Sequence, residues 1–129
     1  MEVLSKQISM LIDKIFIEEL SIGDELSGLL QTFKNEKTDF PFATLCVLHY
    51  KDYSNSFNQE IYSVAAAIEL IILSFDIIDD LQDQDTDYIW TKTPALSLNV
   101  VLTMLTIASK LIRESDFEHR YLALETIEN

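Results

Sequence analysis

Only Gly23, Gly28, Pro41 and Pro94 stand in this chain of 129 residues to interrupt regular structure. Long segments run unpunctuated, and their apolar residues recur with the period of a helix. Val3, Leu4, Ile8, Leu11, Ile12, Ile15, Phe16 and Leu20 predict a helix over 3–21, broken at Gly23. A second, short helix is expected over 26–33, followed by a polar loop at 35–39. Pro41 suits the first turn of a third helix, which runs to about Tyr50. Residues 51–58 read as a loop. A long helix opens at Asn58 or Gln59 and ends in a cluster of aspartates. Residues 83–93 read as a loop or frayed helix end. Pro94 starts another helix to about Arg113, and 116–128 forms a last amphipathic segment. With no strand alternation, repeat or low-complexity tract, the expected fold is all-α, in a single helical domain over 1–129.

The balance of side chains narrows the function. At 48% hydrophobic residues the chain can bury a real core. A net charge of −13 argues against nucleic acid, whose phosphates need Lys and Arg to displace counterions. It argues equally against charge-driven binding to anionic lipid. An anionic substrate would have to bind through a bridging metal. Cys46 is the only cysteine, which excludes a disulfide framework or zinc site. No basic-then-apolar signal opens the chain, so the reducing cytoplasm is the default compartment, with peripheral membrane contact left open. Residues 94–112 have the length of a membrane span, but Ser97, Asn99, Thr103, Thr106, Ser109 and Lys110 interrupt them. They read as a buried core helix, and no transmembrane segment is expected.

Six of the eleven aspartates fall within residues 76–87, directly after the apolar run 64–75. On a helix Asp76, Asp79, Asp80 and Asp83 lie at i, i+3, i+4 and i+7, which is one face. Like charges so placed repel by about 0.2–0.5 kcal/mol per pair. A solvated acidic helix end is the plain alternative, but it leaves Asp76, set between Phe75 and Ile77, unexplained. An EF-hand fails: Asp83, Asp85 and Asp87 have the right spacing, but Tyr88 stands where Gly is needed and Pro94 where a bidentate Glu is needed. What remains is a DDxxD motif, Asp79-Asp80-Leu81-Gln82-Asp83. Mg²⁺ is commonly held by one or two carboxylates together with substrate phosphates.

The surroundings of that motif resemble the trans-isoprenyl diphosphate synthase family. Ala65-Ala66-Ala67-Ile68-Glu69 stands ten residues before Asp79, and Lys37 and Pro41 fall where the family carries a Gly-Gly-Lys-Arg…Pro element. The wording from Ile68 through Asp85, followed by Trp90, Lys92 and Ser97-Leu98-Asn99, is similar to the ComQ-type branch. Members of that branch prenylate a tryptophan of a bacterial quorum-sensing pheromone peptide in the competence system. The resemblance implies the N-terminal helical half of an isoprenyl synthase (terpenoid synthase) fold, so that residues 1–129 are a partial domain. It implies Mg²⁺ on Asp79, Asp80 and Asp83, with Glu69 and Asp76 supporting them from behind. Lys37, Phe75 and Lys92 would meet the substrate, Phe75 as a floor that keeps the prenyl chain short. Trp90 is a candidate aromatic at the site edge, with plain packing an equal alternative.

There are departures from the pattern. Asn35, Glu36 and Thr38 replace the two Gly and the Arg, Ile72 replaces a His, and the Arg pair after the motif is missing, leaving Lys92 as the nearest cation. Those groups hold isopentenyl diphosphate in the family. Losing them while keeping the aspartates fits an enzyme that ionises an allylic geranyl or farnesyl diphosphate and passes the carbocation to a peptide indole. No second Asp-rich motif is present. The chain is therefore expected to be inactive alone, and to associate with itself or with a C-terminal half. The alternative is a non-catalytic helical interaction module, or a pseudo-enzyme with a vestigial motif. His49 and His119 lack ligand-spaced partners and read as structural or surface groups, Cys46 as a small core residue, and Phe75 itself as core before any pocket role.

Overall fold

Ala65, Ala66 and Ala67 are each fully buried. Three successive residues sweep about 200° around a helix, so neighbours must enclose this one on most sides. The computed structural model describes residues 2–19, 24–37, 39–54, 57–84 and 86–129. The expected break at Gly23, the departure at Thr38 and Asp85 of the aspartate series lie outside them. The enclosed helix is α4 (Ile61–Gln82), and α1 (Glu2–Glu19), α3 (Pro41–Tyr53) and α5 (Pro94–Glu114) pack on it. A 3₁₀ turn at Ile89–Lys92 touches α4 and α5 together. α2 (Asp24–Asn35) lies against α1 and α5, and α6 (Arg120–Glu128) closes on α5. No strand occurs among the described residues, and the all-α expectation holds.

Each helix buries the stripe its sequence provides. α1 turns Leu4, Ile8, Ile12, Ile15 and Phe16 inward, and α5 turns Val100, Val101, Met104, Ile107, Ala108 and Ile112 inward. All six described helices thus contribute to one core, which includes Phe33, Leu70, Ile77 and, from the 3₁₀ turn, Trp90. α1 and α2 are also tied by a polar contact that sequence did not suggest. Lys34, almost wholly buried, donates to Ser9 Oγ at 2.6 Å and pairs with Asp13 at 2.7 Å. A buried ammonium is tolerable only because both partners are in place.

The boundaries differ from expectation in ways that have local causes. α3 extends to Tyr53, because Ser54 N–H still closes on the Tyr50 carbonyl at 2.9 Å. α4 begins at Ile61, after Asn58 Oδ1 accepts the Glu60 N–H at 2.9 Å and turns the chain. The segment 83–93 is not all loop. Gln84 takes a left-handed backbone conformation with φ 56°, which ends α4 and folds the chain back. The 3₁₀ turn that follows buries Trp90. The last helix starts only at Arg120, whose Nη1 donates to the Ser115 carbonyl at 2.7 Å across the turn.

Phe75 is a correction. It is not core but 56% exposed, because the buried stripe of α4 runs through Leu70, Leu73, Ser74 and Ile77 and passes beside it. α4 and α5 are both long and apolar enough to cross a membrane by length and composition alone. α4 is largely buried inside the molecule, whereas α5 leaves Leu96, Leu98 and Leu102 exposed. Cys46 is half-buried, its thiol pushed up by that burial, and His49 and His119 are at the surface.

Candidate functional site

The last two turns of α4 open one wall of a cleft of about 390 Å³. Asp76, Asp79 and Asp80 line it together with Leu73, Glu36, Lys37, Tyr88 and Trp90. Helical spacing brings the three carboxylates to one side, as their positions in the chain require. The loop after α2 supplies Glu36 and Lys37 opposite, and the chain turned back at Gln84 supplies Tyr88 and Trp90. Asp83 lies beyond the cleft. It is the C-terminal cap of α4, exposed, with its backbone N–H on the Asp79 carbonyl at 2.9 Å.

Two of the three carboxylates have protein partners. Lys37 Nζ meets Asp76 Oδ2 at 3.3 Å, a pair whose carboxylate is exposed and whose lysine is partly buried. Such pairs contribute about 0–1 kcal/mol, so Lys37 can leave Asp76 for a stronger anion. Trp90 Nε1–H donates to Asp80 Oδ2 at 2.8 Å. The indole is held by two rings and its backbone by one hydrogen bond. Tyr88 stacks on it at 5.5 Å with the rings 4° from parallel, and Phe33 meets it edge-on at 5.7 Å. The hydroxyl of Ser97 donates to the Trp90 carbonyl at 2.6 Å. Asp79 faces solvent from the cleft wall. Among the described residues no three His, Cys, Asp or Glu side chains stand ready as a metal cage. Mg²⁺ does not need one, since substrate phosphates and water complete its octahedron. Hard carboxylate oxygens on one cleft wall fit that ion.

Glu69 is placed elsewhere. It is 2% exposed, and its Oε1 accepts the Ala43 N–H at 2.9 Å. Ala43 belongs to the first turn of α3, whose N–H groups have no partner within their own helix. Glu69 therefore caps α3 from a neighbouring helix, and its charge lies favourably at the positive end of that helix. Burial pushes its carboxyl above the ordinary range, while the N–H groups of Ala43 and Phe42 and the charge of Lys37 pull it back. Its Oε2 has no hydrogen-bond partner among the described residues. Phe75 and Lys92 are exposed and do not line the cleft. Tyr88 and Glu36, which do, were not anticipated. The i, i+2 pair Tyr88 and Trp90 beside the aspartates was the available signal for Tyr88.

A helical bundle whose longest helix ends in a carboxylate-lined cleft, faced by a lysine and an aromatic pair, agrees with the all-α fold that the resemblance to isoprenyl synthases implies. Comparison with known proteins narrows this. The chain is 40% identical over 90 residues to the tryptophan prenyltransferase ComQ of Bacillus spizizenii, covering 68% of this chain and 32% of that protein. It is 35% identical over 96 residues to ComQ of Bacillus subtilis strain 168, covering 73% of this chain and 32% of the relative. With ComQ of Bacillus subtilis subsp. natto it shares 31% identity over 113 residues, 86% of this chain and 36% of the relative. By sequence the chain belongs with the ComQ-type tryptophan prenyltransferases, and it matches about a third of the length of these curated relatives. No family model matches the chain, and no solved structure does.

Proposed function

We propose that this chain contributes the Asp-rich wall of a Mg²⁺-dependent isoprenyl transferase site. That site moves a geranyl or farnesyl group from an allylic diphosphate to a tryptophan of a pheromone precursor peptide. The observation that carries the proposal is the cleft itself: Asp76, Asp79 and Asp80 on one wall, Lys37 opposite, in a chain related to ComQ. Asp79 and Asp80 would hold the ion, while Asp83, expected with them from the motif, lies beyond the cleft at the helix end. Mg²⁺ bound there supplies the positive charge that makes diphosphate a leaving group. Lys37 exchanges its weak contact with Asp76 for the diphosphate oxygens. The allylic C–O bond breaks with its electron pair on the diphosphate, and the acceptor indole provides the pair for the new bond and releases a proton. Tyr88, exposed at the cleft, offers a ring face to the developing cation.

The chain alone should not turn over, because it supplies one Asp-rich wall and a diphosphate needs cations on both flanks. One observation favours the non-catalytic alternative: Asp76 and Asp80 already have protein partners, as a vestigial motif would. The two readings separate in a chimera in which this chain replaces the matching third of a ComQ relative. Asp79→Ala and Asp80→Ala there should each cut transfer from farnesyl or geranyl diphosphate to a tryptophan peptide at least 100-fold, with the helical spectrum unchanged. Unchanged turnover in either variant would remove the assignment.

A further inference from the structure

We propose that Trp90 is the positioning residue of the cation site, its indole N–H setting the orientation in which Asp80 meets a divalent ion. The inference rests on the reading of the cleft given above. Trp90 is 5% exposed, so it is part of the wall rather than an open aromatic surface for a substrate. Its ring is clamped by Tyr88 and Phe33, and its carbonyl by Ser97. A donor held this firmly allows Asp80 Oδ2 one direction at 2.8 Å. A carboxylate has two oxygens, and the one not bonded to the indole remains for a cation.

The same bond links the two segments that build the cleft. Asp80 is on α4 and Trp90 is on the 3₁₀ turn ten residues later, brought back by the left-handed residue Gln84. Partners that orient metal ligands typically change affinity 10–100-fold when removed. Phe at position 90 keeps a ring for Tyr88 and Phe33 but has no N–H.

Trp90 is the only tryptophan in the chain, so a ¹⁵N spectrum of the whole chain shows one indole signal, and that signal reports on Asp80 directly. Mn²⁺ alone is the probe, titrated with the free ion read by electron paramagnetic resonance. In the wild-type chain Mn²⁺ should broaden the indole signal before other side-chain signals. In Trp90→Phe its affinity should fall about tenfold while the helical spectrum shows the chain still folded. Selective broadening in the wild type with equal affinity in Trp90→Phe would overturn the positioning role and leave the cation site standing. No selective broadening of the indole would remove both. If Trp90→Phe unfolds, Asp80→Asn decides, because it leaves Trp90 packed. An indole signal that moves upfield and exchanges faster with water supports the proposal, and an unmoved signal overturns it.

Discussion

Glu69 shows what one side chain can reveal and conceal in a sequence. A glutamate inside an apolar run was visible as unusual, but its partner, the N-terminus of α3, is 26 residues away in the chain, and only the packing of α3 on α4 brings it within 2.9 Å. Its raised carboxyl pKa has a consequence for stability. The folded state keeps a proton there over a window in which the unfolded state has released it. The stability this provides is present at and below the ordinary carboxylate pKa and is lost as pH rises through the raised one. Glu69→Gln keeps an oxygen for Ala43 and removes the titration. Denaturant midpoints at pH 4.5 and 7 should therefore converge toward each other in the variant, the wild type losing more stability than Glu69→Gln on going up; equal loss would show that Glu69 is not buried as described. Asp83 offers a simpler case, an exposed carboxylate set against the negative end of α4, where the residue's backbone N–H makes the cap. Asp83→Asn relieves that contact and the repulsion from Asp79 and Asp80, and should stabilise the chain without metal by about 0.5 kcal/mol, a melting temperature a few degrees higher. Earlier melting would reveal a partner for the Asp83 side chain.

At the level of elements, periodicity located the helices and the turn chemistry misplaced their ends. The stripe Leu4, Ile8, Ile12, Ile15, Phe16 is legible because α1 is buried on one side only. α4 has no such stripe over its middle, since Ala65, Ala66 and Ala67 are all enclosed; hydrophobicity marked it as core without saying which face met what. For the same reason the sequence could not show that Phe75 faces outward. The 3₁₀ turn is not legible in the sequence because four residues carry no period, and its role depends on Trp90 reaching Asp80, a contact that composition does not encode. The small residues of α4 set how closely α3 and α5 approach it. Ala66→Leu inserts volume where there is none, and should destabilise by about 1–3 kcal/mol. A denaturant midpoint at or above that of the wild type would mean the helices are looser than their burial indicates.

Seen whole, the molecule leaves apolar surface uncovered. Leu96, Leu98 and Leu102 on α5, Phe75 on α4, and Phe42, Leu45 and Leu48 on α3 are exposed, in a chain that matches only about a third of its curated relatives. Exposed apolar side chains in such number are often covered by a partner. The chain is therefore expected to self-associate or to bind the remaining part of a ComQ-type protein. Light scattering at micromolar concentration should give a mass above 14.8 kDa, and a clean monomer that also ignores such a part would count against this. The acidic motif was the most legible part of the site, because Asp76, Asp79 and Asp80 at helical spacing need no tertiary information to share a face; Asp83, at the helix end, falls beyond the cleft. The most direct measurement is a crystal of this chain soaked with Mn²⁺ and inorganic pyrophosphate, examined for anomalous scattering. A Mn²⁺ peak should appear on Asp79 and Asp80, with pyrophosphate on its Lys37 side. Mn²⁺ and pyrophosphate bound away from the cleft, or a cleft empty at millimolar concentrations of both, would contradict the proposed site.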